Sequence, residues 1–140
     1  MPYLDTSILG SFYCPEALSA VVDRTITGRR DLVISPLVEL ELCSLLSLKV
    51  RTHELSRAEA TATLGQYRIH VADGQYQFIE IGHREHELAR DWLSGFALAL
   101  RTLDALHLAA AFANAQELFT TDKGLAASAK ELGVPCRLLR

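Results

Sequence analysis

The sequence predicts an α/β fold, a three-layer sandwich with a mainly parallel sheet of about five strands flanked by helices. Two observations carry this. Short apolar runs ("PYL", "DLVIS", "FIEI", "ELFTT", "CRLL") alternate with longer segments of helical period. The helical segments also begin and end on capping residues. The 140 residues show no repeat, low-complexity tract or linker, so residues 1–140 read as one domain.

"PYLDTS" opens the chain as a short strand ending at Asp5. A helix is expected from about Pro15, with Leu18, Val21, Val22 and Thr25 on one face and Gly28 as its stop. "DLVIS" reads as a buried strand. Ser35 then caps a helix whose first residue, Pro36, has no N–H to leave unpaired. "SRAE", Ser56 to Glu59, is a capping box opening a helix with Ala60, Leu64, Tyr67 and Val71 on one stripe. "FIEI" is the next strand. "HREHELARDWLSGFALAL" follows, with Leu88, Trp92, Phe96 and Leu100 at four-residue intervals. "LRTLDALHLAAAFANA" is a further helix with Asp104 near its start. "ELFTT" is a strand, Asp122 caps a helix that Gly133 and Pro135 stop, and "CRLL" is the last strand.

Composition narrows the function classes. Fourteen Lys and Arg against seventeen Asp and Glu give a net charge of −3, so the chain does not coat nucleic acid by charge alone. A nucleic-acid enzyme whose site gains positive charge from a bound cation stays open. Cys14, Cys43 and Cys136 are odd in number and far apart, which argues against a disulfide framework or zinc knuckle. No apolar run is long enough to span a bilayer, and the first residues lack a secretory signal pattern. The expected location is cytoplasmic, with no membrane partner.

Parallel α/β sheets build their sites at the carboxyl ends of the strands. Asp5 and Asp122 fall there. Glu41, in the second turn of the helix after "DLVIS", and Asp104, in the first turn of its own helix, belong to the same end. Ionised carboxylates brought close repel, so either some are protonated or a divalent cation holds them. Oxygen donors without a His or Cys cluster suit Mg²⁺ or Mn²⁺, and those ions favour phosphoryl chemistry. Each acid also has a plainer reading. Asp5 and Asp122 suit helix N-caps, Asp104 suits the positive end of a helix dipole, and Glu41 suits a solvated helix face. Their common position at one end of the fold is what favours a shared role.

"YLDTS", "SPLVELEL", "RTLDALHLAAA" and "FTTDKGLAASAKELGV" together resemble the PIN domain, and more narrowly the toxin subunit of VapBC-type toxin–antitoxin modules. The resemblance spans essentially the whole chain. It implies a PIN-like fold and a ribonuclease that hydrolyses RNA phosphodiester bonds with a metal-activated water, using Mg²⁺ or Mn²⁺. It assigns Asp5, Asp104 and Asp122 as catalytic metal ligands. Glu41, rather than Glu39, is the fourth, directly or through water. Ser7 and Thr120 are expected to orient a carboxylate or a water, although a local backbone cap is an equal use for each hydroxyl. Arg101 and Lys123 are expected near RNA phosphate. The implied partners are an RNA substrate, a cognate antitoxin on a separate chain and a second copy in a homodimer. The apolar helices "PLVELELCSLLSLKV" and "ATATLGQYRIHV" agree with an interface.

Rival functions are a housekeeping PIN nuclease in RNA processing and a PIN-like binding module without catalysis. A phosphoacceptor signalling domain fails, because it needs paired acids after the first strand and Asp5 is followed by Thr6 and Ser7. His83 and His86 read as an exposed helix start, and His107 as a packed, hydrogen-bonded histidine.

Overall fold

The computed structural model describes residues 1–140. Five strands, β1 (Pro2–Leu4), β2 (Leu32–Ile34), β3 (Tyr76–Phe78), β4 (Glu117–Thr120) and β5 (Cys136–Leu138), form one sheet in the order β3-β2-β1-β4-β5. Every pairing is parallel, with Tyr3 opposite Val33 on one side of β1 and Leu118 on the other. The chain builds outward from β1 to β3, then returns to add β4 and β5 on the other side. That reversal puts a topological switch point between β1 and β4, where doubly wound sheets open a crevice.

Seven helices flank the sheet: α1 (Thr6–Tyr13), α2 (Ser19–Ile26), α3 (Pro36–Arg51), α4 (Arg57–Ala72), α5 (His83–Leu93), α6 (Thr102–Ala113) and α7 (Lys123–Leu132). Helices α1 to α4 pack in sequence along α1 and α3, α5 pairs with α6, and α7 lies on β4 and β5. One core holds the sheet to both groups, with Leu4, Ile8, Ile34, Leu42, Leu108 and Phe119 inaccessible or nearly so. Side chains of that size contribute about 1.5–3 kcal/mol each on full burial.

Most boundaries follow the local chemistry. Ser56 and Glu59 form the expected reciprocal capping box at α4. Asp122 caps α7, and Gly133, at φ 71°, closes it in the left-handed region. Four expectations need correction. A helix, α1, follows Asp5 directly, because the carboxylate caps it by accepting from the Ile8 N–H. Ser35 occupies the N-cap position of α3 but makes no capping hydrogen bond; its hydroxyl pairs instead with Tyr3. The "FIEI" strand lies two residues earlier, over "YQF". Helix α5 stops at Leu93, so Phe96 and Leu100 lie beyond it. Phe96 sits at φ 57° and is 94% exposed. The Ser94–Gly95 pair breaks the helix before the apolar spacing runs out.

The alanines of α6 serve two neighbours. Ala110 and Ala111 join the main core, whereas Ala105 and Ala109 pack on Ala89 of α5. Small side chains there let α6 lie close to the sheet and to α5 together. No helix is long and apolar enough to cross a membrane.

Candidate active site at the carboxyl ends of the strands

Asp5 follows β1 and is almost fully buried. Ser7 Oγ donates to its Oδ1 across 2.5 Å, and Thr120 Oγ1 donates to its Oδ2 across 2.5 Å. The same hydroxyls accept backbone N–H groups, Ser7 from Thr121 at 2.9 Å and Thr120 from Asp122 at 3.0 Å. The two side chains thus tie the end of β1 to the turn between β4 and α7. Burial pushes the Asp5 carboxyl above its ordinary range, while the two hydroxyls pull the other way.

Glu41 reaches the same region from α3. Its Oε1 accepts from Thr6 Oγ1 at 2.8 Å and from His107 Nε2 in a very short contact. No hydrogen bond falls on Oε2. Burial opposes ionisation of Glu41, but the His107 contact and the Thr6 hydroxyl outweigh it and leave the carboxyl below its usual range. Glu39 turns toward α4, where it accepts from the Tyr67 hydroxyl at 2.8 Å. Residues two apart on a helix face different ways, and here only Glu41 faces the strand ends.

Asp104 lies in the first turn of α6. Burial raises its pKa first, then the charge of Asp122 and, more weakly, that of Glu41; Arg101 and His107 act in the other direction. Arg101 Nε is 3.8 Å from Asp104 Oδ2, and the Arg101 side chain is 90% exposed. Asp122 spends Oδ1 on the Gly124 and Leu125 N–H groups, at 2.8 and 3.1 Å, and leaves Oδ2 without a hydrogen bond. Lys123 is exposed on the first residue of α7.

The four acids therefore share one end of the sheet without touching one another, and the charges of Asp122 and Glu41 are felt at Asp104. No three acidic, His or Cys side chains lie close enough to hold a metal ion by themselves. Asp5, Glu41 and Asp122 each accept hydrogen bonds of their own, whereas Asp104 has only the Arg101 guanidinium nearby, at 3.8 Å. The donor chemistry still fits a hard cation. Glu41 and Asp122 each carry an oxygen without a hydrogen-bond donor, Asp104 carries two, and its carboxyl, raised by burial and then by the charge of Asp122, is one a cation would help to ionise. A cavity of about 550 Å³ borders Glu41, Arg101 and Asp104, and a second of about 690 Å³ borders Ser7, Glu41, Arg51, Arg101 and Thr121. Together they make an open groove beside the acids.

Two parts of the site were not assigned from sequence. The Thr6 hydroxyl carries no signal beyond its place after Asp5. His107 does carry one, since it lies one helical turn after Asp104, yet its partners are Glu41 and Tyr3. His83 pairs with Glu87 at 3.0 Å and His86 Nδ1 lies 2.7 Å from the Gly82 carbonyl, so neither approaches the acids.

The family model for the PIN domain matches residues 3–131. The chain belongs to the PIN domain family. Solved structures agree with that fold. The VapC20 toxin of Mycobacterium tuberculosis, described as cleaving the sarcin-ricin loop, superposes with a TM-score of 0.69 at 17% identity, over 91% of this chain and 95% of that one. FitAcB from Neisseria gonorrhoeae gives 0.72 at 16% identity, over 97% and 96%. VapBC2 from Rickettsia felis, solved on a DNA fragment from its promoter, gives 0.68 at 16% identity over the full length of both chains. No curated protein is detectably similar in sequence. These likenesses concern the fold, so residue roles in this PIN domain rest on its own geometry.

Proposed function

We propose that this PIN domain is a metal-dependent endoribonuclease and the toxin of a type II toxin–antitoxin pair. The observation that carries the reading is the gathering of Asp104, Asp122 and Glu41 at the carboxyl ends of the strands, where Asp104 feels the charges of the other two behind the effect of burial and all three keep an oxygen without a hydrogen-bond donor. Asp5, Glu41, Asp104 and Asp122 would hold Mg²⁺ or Mn²⁺, with Glu41 acting directly or through water. The bound cation would supply charge for the phosphoryl oxygens and a more acidic water. Ser7 and Thr120 hold the Asp5 carboxylate in place. Arg101, exposed at the rim, would bind RNA phosphate, with Lys123 beside Asp122 in the same role.

The toxin assignment draws on the fold shared with VapC20 and the VapBC and FitAB complexes. A cognate antitoxin and a second copy of this chain are the partners the reading implies. Exposed Leu40 and Leu48 on α3, and Leu103 and Phe112 on α6, offer apolar surface for them. Cytoplasmic action goes with an RNA target.

One observation favours a binding module without catalysis, namely the spacing of the acids, which brings no three together. The two readings part on a single experiment. Mn²⁺ titration should raise the melting temperature of the wild type and not of Asp104→Asn, EDTA should reverse the rise, and induced wild-type protein should arrest growth with new RNA ends absent from Asp104→Asn. An unchanged melting temperature and harmless expression would leave the binding module. Metal response and RNA cleavage without growth arrest would indicate a housekeeping nuclease.

A further inference from the structure

His107 is 2% exposed, and both ring nitrogens are engaged. Nδ1 lies 2.8 Å from the Tyr3 hydroxyl, which lies 2.8 Å from Ser35 Oγ; Tyr3 and Ser35 are themselves fully buried. Nε2 meets Glu41 Oε1. A chain of polar side chains thus runs from the end of β2, through β1 and α6, to α3. Apolar residues of similar volume would fill this space without the desolvation cost of three polar groups. The relay leads to one destination, a partly exposed glutamate at the strand ends.

An ionised carboxylate only accepts, so Nε2 carries the proton that faces Glu41 in either charge state of the imidazole. Glutamate is among the side chains with most rotamer entropy to lose. Two donors, from His107 and Thr6, both fall on Oε1 and leave Oε2 without one, and Glu41 lines the groove. Tyr3 in turn keeps the ring from rotating about its own side-chain bonds.

We infer that His107 is a positioning residue, held by Tyr3, that fixes Oε1 of Glu41 so that Oε2 is presented to a divalent cation. The inference rests on the nuclease reading of the same site. His107 does not touch the cation or the RNA. It acts only through Glu41, much as the outer hydrogen-bond partners of metal ligands set their orientation.

The test uses the full chain as wild type, His107→Leu, His107→Gln, Tyr3→Phe and Glu41→Gln, with the corresponding doubles. Mn²⁺ affinity is read from the electron paramagnetic resonance of the free ion, and kcat and KM from cleavage of a single-stranded RNA. His107→Leu should weaken Mn²⁺ binding about 10- to 100-fold and lower kcat with little change in KM. His107→Gln, which restores a donor, should recover most of both. The loss should vanish in the Glu41→Gln background, because interacting residues are not additive. Tyr3→Phe keeps the ring packing and carries the same test if His107→Leu does not fold. Its weaker Mn²⁺ binding should likewise vanish with Glu41→Gln. In metal-free protein, the imidazole Nε2–H proton resonance should move when Glu41→Gln is made, a readout independent of activity. Unchanged Mn²⁺ affinity in a folded His107→Leu, or losses that multiply independently with those of Glu41→Gln, would overturn the positioning role alone. A wild type that neither binds Mn²⁺ nor cleaves RNA would instead overturn the nuclease reading on which it rests.

Discussion

The Thr120 hydroxyl donates to Asp5 Oδ2 across 2.5 Å, joining the ends of β1 and β4 although 115 positions separate the two residues. Ser7 does the same for Oδ1 from the other side. Both Asp5 oxygens thereby have a donor, whereas Glu41 and Asp122 each keep one oxygen without a donor and Asp104 keeps two.

Thr120→Val keeps the shape and removes the donor, stranding a buried carboxylate oxygen. Stability should fall by about 1–3 kcal/mol, the cost of an unsatisfied buried polar group. Thr120→Ser should recover most of the loss. Urea denaturation of the three proteins checks this, and equal midpoints for wild type and Thr120→Val would show that the hydrogen bond contributes nothing.

Asp104→Asn should separate stability from function. The Asp104 carboxyl is raised above its ordinary 3.8 by burial and by the charges of Asp122 and Glu41. A folded-state pKa above the unfolded value means that stability is lost as pH rises through that window. At neutral pH the metal-free Asn variant should therefore melt at a higher temperature than wild type. The gain should disappear below the ordinary carboxylate range, where both proteins are neutral at this position. RNA cleavage should drop about 100-fold or more, the scale of losing one group that stabilises transition-state charge. Calorimetry in EDTA across pH, beside a cleavage assay, reads both effects.

Glu85 gives a pH dependence away from the acids. It is buried, accepts from the Gly82 N–H at 3.0 Å and lies 3.2 Å from Arg84 Nη2. Burial opposes its ionisation, but the backbone N–H groups and Arg84 prevail and hold it below its usual 4.5. A depressed carboxyl stabilises the fold above the unfolded value and loses that contribution as pH falls through its own. Glu85→Gln should cost about 1–2 kcal/mol at pH 7, and the difference from wild type should shrink below pH 4.5. A constant difference from pH 7 to pH 3 would assign the effect to packing rather than charge.

Ala110→Leu tests the close approach of α6. Ala110 is inaccessible within the main core, so added methylenes should strain it by about 1–3 kcal/mol. Because the same helix carries Asp104 and His107, the shift should also weaken the Mn²⁺ response. Ala113→Leu, near the end of the helix, should leave that response intact.

The sequence by itself determined the alternation of strands and helices, the capping box at Ser56, the stop at Gly133 and the placement of Asp5, Asp104 and Asp122 at element ends. Periodicity and capping are local, so nearby residues express them whatever the rest of the chain does. Only the tertiary structure decided that Ser35 bonds Tyr3 instead of capping α3, that Phe96 turns into solvent, and that Glu39 answers Tyr67 while Glu41 answers His107. Those choices depend on which distant donor reaches a side chain first. In a sheet of order β3-β2-β1-β4-β5, the donors that complete a site come from segments as far as 115 positions away, and only packing brings them within hydrogen-bond range.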